Sequence, residues 1–139
     1  HAYLDGDLIE CMANSDNTVR GGLTVKFVDV ETLLGMLNFC ESHPTVLSDE
    51  VVGPNNPFRK YNTPAEEFSL ESFTGSLEHW TFYSDDSLKV LFCLEGELKI
   101  ETKNTSLTLT SGQSALIPAV LSNYSLRIKD AKVFSVGVP

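Results

Sequence analysis

From residue 68 onward, apolar and polar side chains alternate with a period of two. Phe68-Ser69-Leu70-Glu71-Ser72-Phe73, Leu98-Lys99-Ile100-Glu101 and Leu107-Thr108-Leu109-Thr110 each place their apolar residues on one face, as a half-buried strand does. Turn residues punctuate the runs at Ser84-Asp85-Asp86-Ser87, Glu95-Gly96, Lys103-Asn104 and Ser111-Gly112. Strands at this regular spacing predict an antiparallel sandwich or jelly roll. Its inward positions are expected to be Leu70, Val90, Phe92, Leu98, Ile100, Leu107, Leu109, Ile117 and Phe134.

Upstream the period changes. Across residues 29–39, Leu33, Leu34, Met36 and Leu37 form an apolar stripe near period 3.6 that Cys40 extends, which predicts a packing helix. Asp29 is placed to cap it, Glu31 suits its first turn, and Pro44 blocks any helical continuation downstream. Residues 41–64 carry four of the six prolines and Asn55-Asn56, and read as an extended connector with Arg59, Lys60 and Tyr61 in a solvated loop. Before the helix, Tyr3-Leu4 and the run Leu8, Ile9, Glu10, Cys11, Met12 flank an Asp5-Gly6-Asp7 turn, two short strands in a stretch without helical periodicity.

Charge and composition narrow the function. A net charge of −9 over 139 residues argues against nucleic acid, which demands clustered Lys and Arg, and against an anionic membrane surface. The longest apolar run, residues 90–94, is too short to span a bilayer, and no positively charged, apolar-cored leader is present. No initiator Met precedes His1, which suggests a processed, excised or trimmed chain. Cys11, Cys40 and Cys93 are odd in number and widely spaced, the pattern of buried reduced thiols in a cytoplasmic protein.

The first 27 residues, HAYLDGDLIECMANSDNTVRGGLTVKF, carry the candidate chemistry: an imidazole at His1, a carboxylate at Asp16, and cations at Arg20 and Lys26. Taken alone, His1 is a terminal side chain, Asp16 fits an Asx turn in Ser15-Asp16-Asn17, and Arg20 and Lys26 are solvated charges. The stretch resembles the type I mannose-6-phosphate isomerases, a family of zinc-dependent cupin barrels. It departs from that pattern at Gly21 and Val25, where Ala and Pro are expected.

The resemblance implies His1 as a zinc ligand, Arg20, Asp16 and Lys26 as catalytic residues, and Tyr3, Arg20 and Lys26 as substrate-binding ones. It implies a mainly β, cupin-like jelly-roll barrel with one helix and a remnant of a preceding cupin barrel. The expected division is residues 1–28 for the catalytic-barrel remnant, 29–64 for helix and connector, and 65–139 for a non-catalytic cupin domain. Gly112, Pro118 and the Gly96 turn resemble cupin half-motifs, but Lys89 and Asn123 stand near positions where a metal cupin has ligands, and His79 and His43 lack partners. A catalytic zinc needs about three protein ligands, so the others are expected in an N-terminal half outside this chain.

The implied activity is the interconversion of mannose 6-phosphate and fructose 6-phosphate, toward GDP-mannose, with the isolated chain inactive. Expected partners are a small sugar phosphate and the missing N-terminal half, but neither nucleic acid nor membrane; residues 8–12 are expected either to pair with a second copy by strand exchange or to pack back on the second barrel. The other readings are a cupin-like module that binds a sugar phosphate without catalysis, and a purely structural jelly roll.

Overall fold

A computed structural model describes the chain except residues 1–4, 7, 15–17, 42, 44, 54, 55, 84 and 85. It divides into two compact units, His1–Val46 and Leu47–Pro139.

The second unit is one antiparallel sheet of seven strands: β1 (Asp49–Val51), β2 (Arg59–Tyr61), β3 (Ser69–Tyr83), β4 (Lys89–Glu101), β5 (Ser106–Thr110), β6 (Gln113–Ile117) and β7 (Asn123–Gly137). The order is β1-β2-β3-β7-β4-β5, and β6 also pairs with β4. β7 is the spine, running antiparallel to both β3 and β4 along its length. β5 and β6 lie end to end on the other edge of β4, opposite residues 97–101 and 89–93. This is the mainly β, antiparallel fold that the alternation predicts. The connector is shorter than expected, because β1 and β2 fall within residues 41–64 and join the sheet.

Residues on β4 and β7 change face partway along. In β4, Leu91 and Cys93 are buried, then Leu98 and Ile100; in β7, Tyr124, Leu126 and Ile128 are buried, then Ala131 and Val133. Each strand switches between odd and even positions at a register shift, between Cys93 and Glu97 in β4 and opposite it in β7. An extra residue flips every side chain beyond it to the other face and bends the strand. Leu98, Ile100, Leu109, Ile117 and Phe134 are therefore buried as expected. Val90 and Phe92 are not; Leu91 and Cys93 take their places in the core. Leu70 is only half-buried, and Leu107, near the end of the outer strand, is exposed.

Two local features hold the bend. Gly96 has φ +77°, and a Cβ there would run into the Asp130 carbonyl and lie 2.6 Å from Ala131 Cα, so only glycine allows β4 to approach β7 this closely. Asp130, at φ +42°, receives the Ser76 hydroxyl on Oδ1 at 2.8 Å, while its N–H donates to Ser76 Oγ at 2.9 Å.

On the sheet surface Glu101 accepts from Lys99 at 2.7 Å and from Arg127 at 2.8 Å. Those two cations, Lys99 foremost, hold its carboxyl down at about 2, below its ordinary 4.5. A depressed folded value stabilises the fold above the unfolded value, and that stability is lost as pH falls from about 4.5 through about 2. Urea titrations should therefore show wild type ahead of Glu101→Gln at neutral pH, with the gap closing across that window. A gap of constant size down to about pH 2 would show that the ion pairs do not set it.

In the first unit the helix forms, shorter than the stripe suggests: α1 spans Val30–Met36, with Leu37 already extended at φ −72°, ψ 138°. No residue of α1 is buried; Val30, Leu34 and Met36 are exposed, and Leu37 beyond it is exposed too. A packing helix is thus present without its packing partner among the described residues. The strand expected over residues 8–12 does not form, and Leu8 and Met12 stand exposed. The cysteines also depart from expectation. All three are free thiols, but Cys93 is buried, Cys11 half-buried and Cys40 exposed. Burial pushes the Cys11 and Cys93 thiols upward, away from thiolate character.

Candidate active-site segment and family

Of the residues singled out in the sequence, His1, Tyr3 and Asp16 lie outside the described residues. Arg20 and Lys26 can be placed. Arg20 is half-buried, and its carbonyl accepts the N–H of Asp29 at 2.9 Å. Residues 20–29 therefore form a loop closed at its base, with Arg20 at one end and the helix cap at the other. Lys26 is exposed within the loop, its N–H donating to Thr24 Oγ1 at 3.1 Å. The two cations share a loop but differ in setting, one at the tethered base and one on the open excursion. None of the ion pairs Arg59–Asp49, Lys99–Glu101 and Arg127–Glu101 engages Arg20 or Lys26.

The cap forms as the sequence predicts. Asp29 accepts the Thr32 N–H on Oδ1 at 3.0 Å and the Thr32 hydroxyl on Oδ2 at 2.7 Å. These bonds to the ionised form lower its carboxyl below the usual range.

Within the sheet unit, the interior is filled by rings. Phe82 stacks on Tyr124 at 5.2 Å, and Phe58 meets Phe73 and Phe82, each at 5.7 Å between centroids. The space among Phe58, Glu71, Phe82, Lys89 and Tyr124 holds no water-sized void. His79 is exposed, with Nε2 at 3.2 Å from the Thr81 hydroxyl, and Asn123 is exposed at the start of β7. An open hollow of about 440 Å³ lies beside Lys99, Arg127 and Lys129, but Glu78, Glu97 and the paired Glu101 offset those cations. It offers no net positive charge for a phosphate. Arg59, in the stretch expected as a solvated loop, is tied to Asp49 by Nε–Oδ1 at 2.8 Å, and the Ser72 hydroxyl joins the same carboxylate at 3.1 Å. That pairing lowers the Asp49 carboxyl and fastens β1 to the sheet.

Among the described residues there is no group of three His, Cys, Asp or Glu side chains that could hold a metal. The described residues therefore do not by themselves fit a zinc ion.

Comparison with known proteins decides the family. The model of the mannose-6-phosphate isomerase cupin domain matches residues 59–132, more than half of the chain. The chain belongs to the mannose-6-phosphate isomerase family. A mannose-6-phosphate isomerase of Arabidopsis thaliana is 32% identical over 139 residues, covering 99% of this chain and 32% of its own length. A probable mannose-6-phosphate isomerase of Dictyostelium discoideum is 36% identical over 86% of this chain and 28% of its own length. The chain thus spans about a third, or less, of these relatives. A Salmonella typhimurium mannose 6-phosphate isomerase, solved bound to its substrate and a zinc atom, matches with a TM-score of 0.73 and 28% identity. That match covers 90% of this chain and 31% of the Salmonella one.

The matched cupin domain includes the Phe73, Phe82 and Tyr124 rings, and Phe58 just before it packs on Phe73 and Phe82. The signal that sequence reasoning missed is the tether. The Asp29 N–H on the Arg20 carbonyl joins residues nine apart, and no periodicity announces it.

Proposed function

We propose that this chain is the C-terminal portion of a zinc-dependent mannose-6-phosphate isomerase, which converts mannose 6-phosphate and fructose 6-phosphate in the cytoplasm on the way to GDP-mannose. One observation carries the reading: 99% of the chain aligns with 32% of a plant isomerase. The free cysteines agree with a reducing compartment.

In this reading the chain brings the Arg20 segment to a site completed by the remainder of the protein. Exchanging aldose and ketose moves a proton between adjacent carbons through an enediol, and the carbonyl oxygen gains negative charge as it does so. Arg20 meets that charge with a planar guanidinium that can engage two oxygens at once. Asp16 stands at the sugar end; Tyr3 and Lys26 contact the substrate. Zinc, held by His1 and ligands outside this chain, supplies further positive charge when bound.

The same reading extends to domains and assembly. Residues 1–28 are the remnant of the catalytic barrel, 29–64 the helix and a connector whose β1 and β2 join the sheet, and 65–139 the accessory barrel. In the isolated chain, residues 8–12 pair with the same run of a second copy, covering Leu8 and Met12; light scattering should find a dimer, and a monomer counts against the exchange.

The whole protein tests the reading. It should hold about one zinc per chain, isomerise mannose 6-phosphate, lose activity on chelation and recover it with zinc. Full activity after metal removal, or none in the zinc-loaded protein, would overturn it.

A further inference from the structure

We propose that Asp29 is a positioning residue for Arg20, holding the backbone from which the guanidinium projects; the inference rests on the isomerase reading above. Asp29 uses each of its polar groups. Its carboxylate caps α1 through Thr32, its carbonyl accepts the Leu33 N–H at 3.2 Å, and its own N–H donates to the Arg20 carbonyl at 2.9 Å. The cap fixes the direction of that N–H, since Asp29 lies outside the helix at φ −129°, ψ 87° and is held there by its bonds to the first turn.

A second contact secures the same point. Gly21 follows Arg20, and a Cβ on it would lie 2.5 Å from Leu33 Cδ2. The chain leaving Arg20 therefore presses against the first turn of α1 with a residue that has no side chain. Here the missing methyl leaves room for Leu33. The Arg20 carbonyl is thus bonded to the residue that caps the helix, and Gly21 beside it lies close to Leu33 of the same turn. The rest of the loop adds little, because Leu23, Val25 and Phe27 are 93%, 106% and 83% exposed.

The consequence is kinetic. A charged group helps a transition state only when it is held in register, and a displacement of about 1 Å can cost on the order of 10²-fold in rate. Loss of an N-cap frays the first turn. Here fraying also releases the Arg20 carbonyl.

The test uses the whole protein, with Asp29→Ala, Asp29→Ser, Arg20→Ala and the Arg20→Ala/Asp29→Ala double variant. Asp29→Ala should lower kcat about tenfold with KM within about twofold, since what it loosens is engaged mainly in the transition state. Serine is a good cap and should restore kcat to within about threefold of wild type. In the Arg20→Ala background, Asp29→Ala should change kcat by less than about twofold, because an effect acting through Arg20 disappears with it. Amide exchange at residue 29 should quicken about tenfold in the alanine variant and not in the serine one. An equal loss with or without Arg20, a serine variant as poor as alanine, or an unchanged kcat would overturn the proposal. A whole protein inactive with Asp29 intact would instead overturn the isomerase reading. Exchange at residue 29 would still report whether the cap holds the Arg20 carbonyl, and unchanged exchange in Asp29→Ala would overturn that too.

Discussion

Arg20→Ala in the whole protein is expected to cost about 2–4 kcal/mol of transition-state stabilisation, roughly thirty- to a thousandfold in kcat/KM, with little change in stability. The two halves of that expectation have separate causes. The interaction that holds this segment in place is made by the Arg20 carbonyl, which alanine keeps. The guanidinium is half-buried and has no ion pair among the described residues, so its removal leaves no buried carboxylate stranded. A solvated surface arginine would change stability by no more than about 0.5 kcal/mol and activity not at all. Arg20→Lys should recover little, since an ammonium is a point charge without the planar fork. The measurement is steady-state kinetics of the three proteins beside their urea midpoints. An Arg20→Ala enzyme within about twofold of wild type would remove Arg20 from the chemistry.

The second large effect is expected in α1. In the isolated chain its amides should exchange with little protection, while those of β4 and β7 exchange slowest. Joined to the N-terminal part of the protein, α1 should gain about 10²-fold or more in protection. Seven residues are too few for a stable helix in water, where even good formers need about 12–15. Tertiary packing must supply the difference, and α1 has no buried residue. Leu34, Met36 and Leu37 are already about half covered, so each would gain about 1–2 kcal/mol from full burial. Burial of all three together supplies what 10²-fold protection requires, about 2.7 kcal/mol. Residue-resolved hydrogen exchange decides it: equal α1 protection in both forms would mean that this face is not where the rest of the protein packs.

How legible these features were depends on the range of the forces that set them. The strands around Leu98–Ile100 and Leu107–Leu109 were readable because alternation is local. The phase of the first half of β4 was not. Placing Val90 and Phe92 inward assumed unbroken alternation, and the register shift between Cys93 and Glu97 depends on the approach of β7 at Gly96. β1 and β2 were hidden for a similar reason. Each is three residues long in a proline-rich stretch, and what makes them strands is pairing with β3 and the Arg59–Asp49–Ser72 contacts. The start of α1 was legible from Asp29, whose cap is a four-residue affair, but its end was not: the apolar stripe continues through Leu37 and Cys40 while the helix stops at Met36. Arg20 stood out only through the family resemblance, because a lone arginine in a loop carries no signal of its own. Its anchoring became visible once Asp29 and Gly21 were seen on one helix turn.

The most direct test of the central claim is turnover of mannose 6-phosphate, read as fructose 6-phosphate formed, by two polypeptides side by side in the presence of zinc: the 139 residues alone, and the same residues joined to the N-terminal part of the protein. In the proposed reading His1 alone cannot hold a defined zinc site, and the Arg20 loop acts only with the rest of the protein around the substrate. No detectable turnover is expected from the isolated chain, and full activity from the joined one. Turnover by the isolated 139 residues, or a folded, zinc-loaded joined protein without activity, would contradict the claim.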